Sequence, residues 1–468
     1  MTQAAQRDPL VVLGRAASGL KLENLPQEVV QRAKQRVLDT VGCLVAGYEA
    51  GIAGEIRSFV LSQGGSPEAT LLPGGQKTTV SLACLAHATY IHGLELSDAA
   101  PRGTVHPGNE IVPAALAGAE KRKLGGAAVI PAVVAGYEVE IRFGRALFPS
   151  AFYRGWWTPG LFGGIGSAVA MAHVLGLDAE GMDNTIGISL NLLPTASMKA
   201  NEEGETIKWL IGGQSSASGV IAAEMAARSV KGMRDVVKGW LPVLADKTLP
   251  ERLTEGIRED CTFEQWELLS GVLTKHYATV GPLTASLDAA FDLVTKNSIA
   301  ADDIAEIHVE AMKRTAIFNT RHPDNDVAAR ASLPYCLAVA VCRKDPASLL
   351  GPAFREDVLK DKAVWAAAEK VRITENEEYE RRYPAQSLAR VTITLKNGKS
   401  FSQEEDRSAR GRYLTPTDDD IEHKFRLIAK PVLGEQKAEK VIALVRRVET
   451  LADIGELIEP LKSAAGGA

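Results

Sequence analysis

The sequence has few cysteines and no regular spacing among them. Its five cysteines are scattered over 468 residues, mostly within apolar runs. The set matches neither the paired spacing of a zinc site nor the even-numbered framework of a disulfide-rich protein. Unpaired thiols are typical of a reducing compartment. We therefore expect a cytoplasmic protein that is not held together by disulfides.

The sequence also lacks an excess of positive charge. It carries 53 lysines and arginines against 58 acidic residues, for a formal net charge of -5, and both signs are spread along the chain. Proteins that bind nucleic acids need a basic stripe that neutralises phosphates. We therefore expect no nucleic-acid partner, although local groups of basic residues still allow a small anion to bind.

Long hydrophobic runs are missing as well. The N-terminus has no cationic segment followed by an apolar core and a small-residue cleavage site. No uninterrupted apolar run approaches the roughly 20 residues that cross a bilayer. With 46 % hydrophobic residues, the composition is typical of a soluble globular protein, neither exported nor membrane-embedded. The length favours two domains.

Apolar residues recur at helical spacing through the first half of the chain. Residues 26–46 bring Val29, Ala33, Val37 and Val41 to one face, which predicts a packed helix. Glycine and proline punctuation separates the similar patterns that follow. Further helices are predicted over residues 80–92, 111–122, 127–147, 160–177, 182–193 and 217–229.

Strand patterns cluster in the second half, over 304–312 and 388–402, the latter with an Asn397-Gly398 turn. A capping-box spacing from Thr417 to Asp420 predicts the start of the last helices, which we expect to return to the helical part. Together with intervening helices, the strands predict a small α+β unit. The intervening helices are predicted over residues 327–343 and 360–371.

Polar groups are concentrated just before one apolar helix. Glu95, Asp98, Arg102 and His106 lie within twelve residues of one another. Arg102 and His106 suit an anionic substrate, and Glu95, Asp98 or His106 could move a proton if burial shifted its pKa toward neutrality. The alternative is a turn at His106 with solvated acids, since polar loops before helices are common.

The helix that follows is predicted to begin near Ile111. Asn109 is its expected N-cap, and Pro113 falls in its first turn. The free backbone N–H groups and the positive end of the helix dipole would then face the polar loop. That arrangement favours a carboxylate ligand in the loop.

Glycines concentrate in the segment GWWTPGLFGGIGSA, residues 155–168. A glycine-rich turn can hold a dinucleotide, but here aromatic and turn residues precede the glycines where a strand is required. Close helix packing through Gly163, Gly164 and Gly166 is the favoured explanation. A nucleotide-dependent oxidoreductase is a further alternative that rests on this segment alone.

Four more residues are candidates for the chemistry. Lys208 has apolar flanks and precedes a run of small residues, and a lysine buried in such a setting can act as a base or hold a carboxylate. Tyr335, Lys275 and His276 are similar candidates. Judged alone, each of the four is better explained as a structural residue, since most lysines are solvated and most buried tyrosines pack.

Taken in order, the segments resemble the MmgE/PrpD family, whose members include 2-methylcitrate dehydratases, cis-aconitate decarboxylases and iminodisuccinate epimerases. The resemblance covers nearly the whole chain. The segments that carry it are LPQEVVQRAKQRVLDTVGCLVAG, IHGLELSD, HPGNEIVPAALAGAE, AGYEVEIRFGRA, RGWWTPGLFGGIGSA, TIKWLIGGQSSASGV, SLPYCLAVAV, GRYLTP and HKF.

The resemblance implies a mainly α fold. It combines a large all-helical domain built from both chain ends, residues 1–270 and 408–468, with a smaller α+β lid domain, residues 271–407, in a homodimer. It also implies a metal-free and cofactor-free site between the domains that acts on di- or tricarboxylates by proton chemistry. The small carboxylate substrate is then the expected partner.

Matching motifs carry the family's site onto this chain. The resemblance aligns His106 with the HPS-type histidine, Lys208 with the lysine before the small-residue helix, and Tyr335 with the SxxY-type tyrosine. It implies two sets of site residues. The expected catalytic residues are His106, Lys208, Tyr335, Glu95 and Asp98, and the expected substrate-binding residues are Arg102, Trp157, Lys275, His276 and Tyr153.

This chain departs from the family pattern at acid-base positions. The usual HALDFDD reads HGLELSD, with Glu95 and Ser97 replacing aspartates and Ala99 following where a threonine is usual. Trp157 replaces the histidine of the GWH element. The K-x-Y-P-x-C segment keeps Lys275 but lacks its downstream histidine. Much of the family's acid-base equipment is therefore missing.

The departures bear on the reaction. Dehydration needs a base and an acid, each worth roughly 10²- to 10⁴-fold in rate, so losing two histidines should slow it. Epimerisation needs only removal and return of a proton, which His106, Lys208 and Tyr335 could supply. We expect a cofactor-independent lyase acting next to a carboxylate. The alternatives are an isomerase or epimerase acting on a less polar carboxylate and a non-catalytic ligand-binding homologue.

Overall fold

Two helices of more than twenty residues organise the first half of the chain in the computed structural model, which describes residues 8–409 and 411–462. Apolar spacing gives each a buried face. The structure is 61 % helical, which confirms the predicted mainly α fold. The helices up to residue 189 are α1 (Pro9–Ser18), α2 (Gln27–Gly47), α3 (Ala53–Gln63), α4 (Val80–Leu94), α5 (Gly108–Arg122), α6 (Gly126–Leu147), α7 (Ser150–Tyr153), α8 (Thr158–Leu175) and α9 (Ala179–Ser189).

The remaining helices lie before, within and after the sheet. Before it come α10 (Lys199–Glu202), α11 (Ile207–Ala226), α12 (Val236–Gly239), α13 (Leu241–Leu244), α14 (Glu267–Ser270) and α15 (Thr284–Lys296). Between its strands lie α16 (Lys313–Ala316), α17 (Asp326–Arg330), α18 (Leu333–Arg343), α19 (Glu356–Leu359), α20 (Lys362–Ala368) and α21 (Glu377–Arg382). After it follow α22 (Gly411–Leu414), α23 (Asp418–Leu433), α24 (Glu435–Val445) and α25 (Gly455–Leu461).

Helix α8 lies at the centre of the helical part, packed against α5, α6, α9 and α11. It is the one helix among the described residues with the length and hydropathy of a membrane span, and 89 % of it is buried inside the protein. A Cβ at Gly163 would lie 2.6 Å from Glu110 Cδ, and one at Gly166 would lie 2.3 Å from Glu140 Oε2. These close approaches confirm the packing explanation for the glycines.

Helix α11 begins ten residues before the predicted start at 217. The early part was missed because Gly212 and Gly213 lower helix propensity. Both face α4, and a Cβ at Gly213 would lie 2.3 Å from the carbonyl oxygen of Leu85. Lys208 is therefore the second residue of a helix and does not precede one.

The predicted N-cap Asn109 is wrong. Helix α5 already begins at Gly108, so Asn109 lies within its first turn. The N–H of Gly108 donates to Asp98 Oδ1 at 3.0 Å. The preceding loop places the Asp98 carboxylate next to Gly108, where it accepts from a free N–H group at the start of α5.

A four-stranded sheet forms the α+β part. Its strands are β3 (Ile304–Ala311), β4 (Val371–Glu375), β5 (Leu388–Leu395) and β6 (Ser400–Asp406), and a separate pair is formed by β1 (Ala69–Thr70) and β2 (Lys77–Thr78). The strand order is β4-β3-β5-β6, with β3 parallel to β4 and the other pairs antiparallel. The predicted hairpin at Asn397-Gly398 is confirmed. Helix α15 packs on β5 and β6.

Two helical predictions in this part need correction. The predicted helix over 327–343 breaks after Arg330, because Ser332 caps a new helix and Pro334 lies in its first turn. The predicted helix over 360–371 ends at Ala368, and Val371 begins β4. Strand β4 is short and rich in charged residues, so its sequence gives little strand signal.

The C-terminal helices lie beside the N-terminal ones. Helix α23 packs against α2, where a Cβ at Gly42 would lie 2.9 Å from the ring of Phe425. The capping box of α23 is confirmed: Thr417 Oγ1 accepts from the N–H of Asp420, and Asp420 Oδ2 accepts from the N–H of Thr417. Below, residues 271–407 are called the α+β region and the other described residues the helical region.

Candidate active site

A cavity of about 590 Å³ lies between the helical region and the α+β region. The helical region contributes the loop 99–106 and the start of α8, residues 157–159. The α+β region contributes residues 280–282 and 383–387. A cleft between two packed regions is the usual place for a small-molecule site.

The cavity wall is strongly basic. Among the described residues that line it, Glu95 is the one acidic side chain and His106 the one histidine. A wall of this charge favours an anionic ligand. The five cationic residues that line it are Arg102, Arg145, Arg252, Arg314 and Arg407.

Glu95 ends α4 in a left-handed conformation, with φ of 55°. Lys275 donates to the Glu95 carbonyl at 3.2 Å. The carbonyls of its neighbours Leu94 and Leu96 accept from Arg330 at 2.9 Å and from Lys424 at 2.8 Å. A non-glycine residue in this conformation costs of order 1–3 kcal/mol. The three cations offset that cost and hold the Glu95 backbone against the cavity.

The Glu95 carboxylate lies between two buried ammonium groups. Lys208 Nζ is 2.6 Å from Oε1, and Lys275 Nζ is 3.3 Å from Oε2. Burial by itself would raise the pKa of Glu95, but Lys208 and Lys275, helped by two histidines, hold it well below its usual range. Glu95 is therefore ionised and is a poor proton donor.

The two lysines lie behind Glu95 and are not among the residues that line the cavity. Lys275 donates to the Glu95 carbonyl, to Glu95 Oε2 and to the Thr279 carbonyl at 3.3 Å, which uses all three of its hydrogens. Burial lowers the pKa of Lys275. Both lysines therefore influence the cavity indirectly, through the charge and position of Glu95.

His106 lines the cavity and is partly exposed to it. Its Nδ1 lies 2.7 Å from the carbonyl oxygen of Asp98. A carbonyl only accepts, so Nδ1 carries the hydrogen and Nε2 keeps its lone pair. Burial, with the charge of Lys275, lowers the pKa of His106 to about 3. The imidazole of His106 is therefore neutral, with a free lone pair on Nε2.

Asp98 is fully buried and does not line the cavity. Its carboxylate accepts from the hydroxyl of Tyr137 at 2.6 Å and from the N–H of Gly108 at 3.0 Å. Burial raises its pKa. Its contact with the site is the backbone bond to His106, so Asp98 orients that imidazole.

Trp157 forms part of the wall beside His106. Its indole stacks on the ring of His92, with centroids 6.0 Å apart, and Lys208 Nζ lies 5.4 Å from its centroid. The indole Nε1 is buried and has no hydrogen-bond acceptor among the described residues. Trp157 therefore covers the buried charges and brings a spare N–H donor to the wall.

His92 was not among the predicted site residues. It is buried, and its Nε2 lies 3.8 Å from Glu95 Oε1. Burial lowers its pKa to about 4, although Glu95 acts in the opposite direction. The spacing of His92 and Glu95, three residues apart on one helix, was the available signal. Arg330, Arg407 and Lys424 gave no local signal, because their partners are distant in sequence.

Besides Asp98, Lys208 and Lys275, three more of the predicted residues lie outside the cavity wall. Tyr335 is fully buried, and its hydroxyl donates to the carbonyl of Ala353. His276 packs edge-on against Tyr413, with ring centroids 5.0 Å apart. Tyr153 is 61 % exposed. Arg102, by contrast, lines the cavity, is exposed, and has no side-chain hydrogen bond or ion pair among the described residues.

Tyr153 belongs to a contact that joins the two regions. Its hydroxyl donates to Glu380 at 2.9 Å and accepts from Arg314 at 3.0 Å. Arg314 also lies 3.8 Å from the ring centroid of Tyr383. This contact closes one side of the cavity, where Arg314 and Tyr383 line the wall.

The chain is similar to known proteins over nearly its whole length. The models of the MmgE/PrpD N-terminal and C-terminal domains match residues 12–251 and 277–450. A cis-aconitate decarboxylase from Aspergillus terreus is 24 % identical over 480 residues, which cover 96 % of this chain and 95 % of that protein. The cis-aconitate decarboxylase of Homo sapiens is 24 % identical over 479 residues, which cover 96 % of this chain and 93 % of that protein. The chain therefore belongs to the MmgE/PrpD family.

Proposed function

We propose that this protein is a cofactor-independent lyase that acts on a di- or tricarboxylate by proton transfer at a carbon next to a carboxylate. The proposal rests on the arrangement of charged groups at one part of the basic cavity wall. There Glu95, held between Lys208 and Lys275, lies beside the free Nε2 of His106. The names of the relatives support a lyase as the first reaction to test.

In this proposal the positively charged side chains of the site bind and stabilise the negative charge of the substrate. Reactions next to a carboxylate build charge on that group in the transition state, and buried positive groups stabilise it. Substrate binding also brings negative charge close to His106, which favours the protonated imidazole and raises its pKa. His106 can then take up a proton or return one at carbon.

Decarboxylation and dehydration make different demands on this site. When CO₂ leaves, the electron pair of the broken C–C bond stays on the substrate, and one proton is added to carbon. Dehydration removes a proton from carbon and needs a second group to protonate the departing hydroxide. On the described wall His106 is the one histidine, Glu95 is ionised, and the Tyr383 hydroxyl is the one further titratable donor besides the arginines. Decarboxylation needs a single proton donor, so it asks less of these residues than dehydration does.

A second candidate function is an isomerase or epimerase. It is favoured by Trp157, which places an indole where a titratable group would complete an acid-base pair with His106. A single base can remove a proton and return it on either side of a planar intermediate. A non-catalytic homologue that only binds a carboxylate would use the same basic wall.

Three further predictions come with the family. We propose that residues 1–270 with 408–468 and residues 271–407 form separate folding units, that the protein is a homodimer, and that it is cytoplasmic. Light scattering of the purified protein tests the dimer. Limited proteolysis tests the boundaries at 270 and 407, and cell fractionation tests the location.

Proton NMR of the purified protein in D₂O tests the reaction. The protein is mixed with cis-aconitate, citrate, an aminodicarboxylate and a less polar carboxylate in turn. New vinyl signals with loss of the cis-aconitate signal would support the decarboxylase, and vinyl signals from citrate a dehydratase. Deuterium exchange at carbon without a vinyl product would favour the isomerase.

The control for that experiment is the His106→Asn variant. It should bind the same compounds and give neither signal. If wild-type protein binds a carboxylate saturably but gives no vinyl product and no exchange, the lyase and isomerase proposals are both contradicted and the binding homologue remains.

A further inference from the structure

Arg407 directly follows strand β6 and lines the cavity while being only 5 % exposed. One of its nitrogens, Nη1, donates to the carbonyl oxygen of Gly281 at 3.1 Å. Its guanidinium also lies 5.4 Å from the ring centroid of Tyr413. These contacts fix the position of the side chain before any ligand binds.

The other two nitrogens of Arg407 have no partner. Nε and Nη2 are buried and make no hydrogen bond with any described residue. Leaving buried donors unsatisfied is costly, and native proteins seldom do so without a reason. The N–H groups on Nε and Nη2 lie parallel along one edge of a guanidinium, which matches the two oxygens of a carboxylate.

The other buried or paired arginines of the wall already have carboxylate partners. Arg145 is paired with Glu255 and Glu267, Arg252 with Glu255, and Arg314 with Glu380. Arg407 forms no ion pair within the described residues. Among the described residues, the carboxylate whose charge acts on Arg407 is that of Asp288, which is not within ion-pair distance of it. A buried guanidinium with no carboxylate in contact favours an anionic ligand.

Arg407 and His106 come from different walls of the cavity. His106 ends the loop 99–106 of the helical region, whereas Arg407 directly follows β6 of the α+β region, and no hydrogen bond or ion pair joins them. Glu95 and its two lysines form a separate charged group beside His106. The site therefore has a reacting group and a distinct carboxylate receptor.

We propose that Arg407 binds, through Nε and Nη2, a substrate carboxylate other than the one beside the reacting carbon. Selectivity for polycarboxylates over monocarboxylates then follows from this residue. The inference rests on the proposed function for the identity of the substrate but can be tested without turnover.

Calorimetric titration with tricarballylate tests the inference, because this saturated tricarboxylate has no hydroxyl or double bond to react. Arg407→Gln should weaken its binding about 10- to 100-fold, since a two-point charge-assisted contact is lost. Arg407→Lys keeps the charge but loses the parallel donors, so it should recover only part of the affinity. Propionate, with one carboxylate, should bind all forms of the protein alike.

The matched control is Arg390→Gln. Arg390 lies on β5, next to the strand that Arg407 follows, but it is 45 % exposed and already paired with Glu404 and Glu310, so its variant should bind tricarballylate like the wild type. Circular dichroism melting of each variant shows whether it is folded. The inference is overturned if folded Arg407→Gln and Arg407→Lys keep the wild-type affinity for tricarballylate. It is also overturned if the variants lose as much affinity for propionate as for tricarballylate, or if the wild-type protein does not bind tricarballylate.

Failure of the inference and failure of the proposed function give different results. If tricarballylate binds through Arg407 but no compound reacts in D₂O, the reaction is contradicted and the carboxylate receptor stands. If cis-aconitate reacts but Arg407→Gln leaves tricarballylate affinity unchanged, the receptor is contradicted and the reaction stands.

Discussion

Lys208 Nζ lies 2.6 Å from Glu95 Oε1, and only 1 % and 3 % of the two side chains are exposed. An ion pair removed from water in this way is costly to break, because one charge is then left buried without a partner. Here Lys275 shares the same carboxylate at 3.3 Å. Glu95 is therefore the counter-ion of two lysines at once, and we expect both stability and activity to depend on it.

We expect Glu95→Gln to lower the free energy of unfolding by about 3–5 kcal/mol, the usual cost of breaking a buried ion pair. It should also lower kcat/KM on cis-aconitate at least 10²-fold, because the lysines lose the group that orients them. Urea unfolding and steady-state kinetics measure the two effects. A second change, Lys208→Met, should recover part of the stability but none of the activity.

Glu180→Gln is the control for that experiment. Glu180 pairs with Lys231 at the surface, where both side chains are more than 60 % exposed, so its variant should unfold at the same urea concentration as the wild type. If Glu95→Gln is as stable as Glu180→Gln, the ion pair at Glu95 does not support the fold.

His106→Asn should separate orientation from proton transfer. The amide of an asparagine can still donate to the Asp98 carbonyl in place of Nδ1, but nothing replaces the lone pair on Nε2. We expect kcat to fall about 10²- to 10⁴-fold with an unchanged melting temperature. His322→Asn, at a histidine that is 45 % exposed and paired with Glu369, should leave kcat unchanged. Full activity of His106→Asn would remove His106 from the proton-transfer step.

Trp157→His tests whether the indole limits the lyase reaction. A histidine there would add a second titratable group next to His92 and Lys208, both of which contact the present indole. We expect kcat on cis-aconitate to rise about 10-fold or more, since a placed acid or base contributes at least that much. Trp157→Phe, which opens the wall slightly without a titratable group, is the comparison. Equal rates for the two variants would contradict the idea.

His87 should make stability depend on pH. Its Nε2 accepts from the N–H of Leu72 at 2.9 Å, and burial lowers its pKa to about 3 from the usual 6.5. Below pH 6.5 His87 is protonated in the unfolded chain but stays neutral in the folded chain. The free energy of unfolding therefore falls as the pH drops below 6.5, and above pH 6.5 His87 causes no loss of stability. From pH 7.5 to pH 5 the loss is about 2 kcal/mol.

The measurement compares wild-type protein with His87→Gln by urea unfolding at pH 7.5, 6 and 5. Glutamine can accept the same backbone bond but does not titrate. The wild type should lose about 2 kcal/mol relative to the variant over this range. Parallel pH dependences for the two proteins would show that His87 is not held neutral by the fold.

Local sequence patterns determined a large part of this protein. Apolar spacing placed α2, α4, α5, α6 and α8, and the capping box and the Asn-Gly turn placed the start of α23 and the β5–β6 hairpin. These signals depend on residues within a few positions of one another, so one sequence suffices to see them. The ordered motifs likewise predicted the family, now shown by the matches over both domains.

Only the tertiary structure decided how the charges converge. Lys424 reaches a carbonyl next to Glu95 across 328 residues of chain, and Arg330 does so across 236. The same packing buried Tyr335 away from the cavity and left two buried nitrogens of Arg407, a residue of the cavity wall, without a hydrogen-bond partner among the described residues. Helical period is a local property, whereas the meeting of distant side chains depends on how whole helices and the sheet pack, and no spacing in the sequence records that.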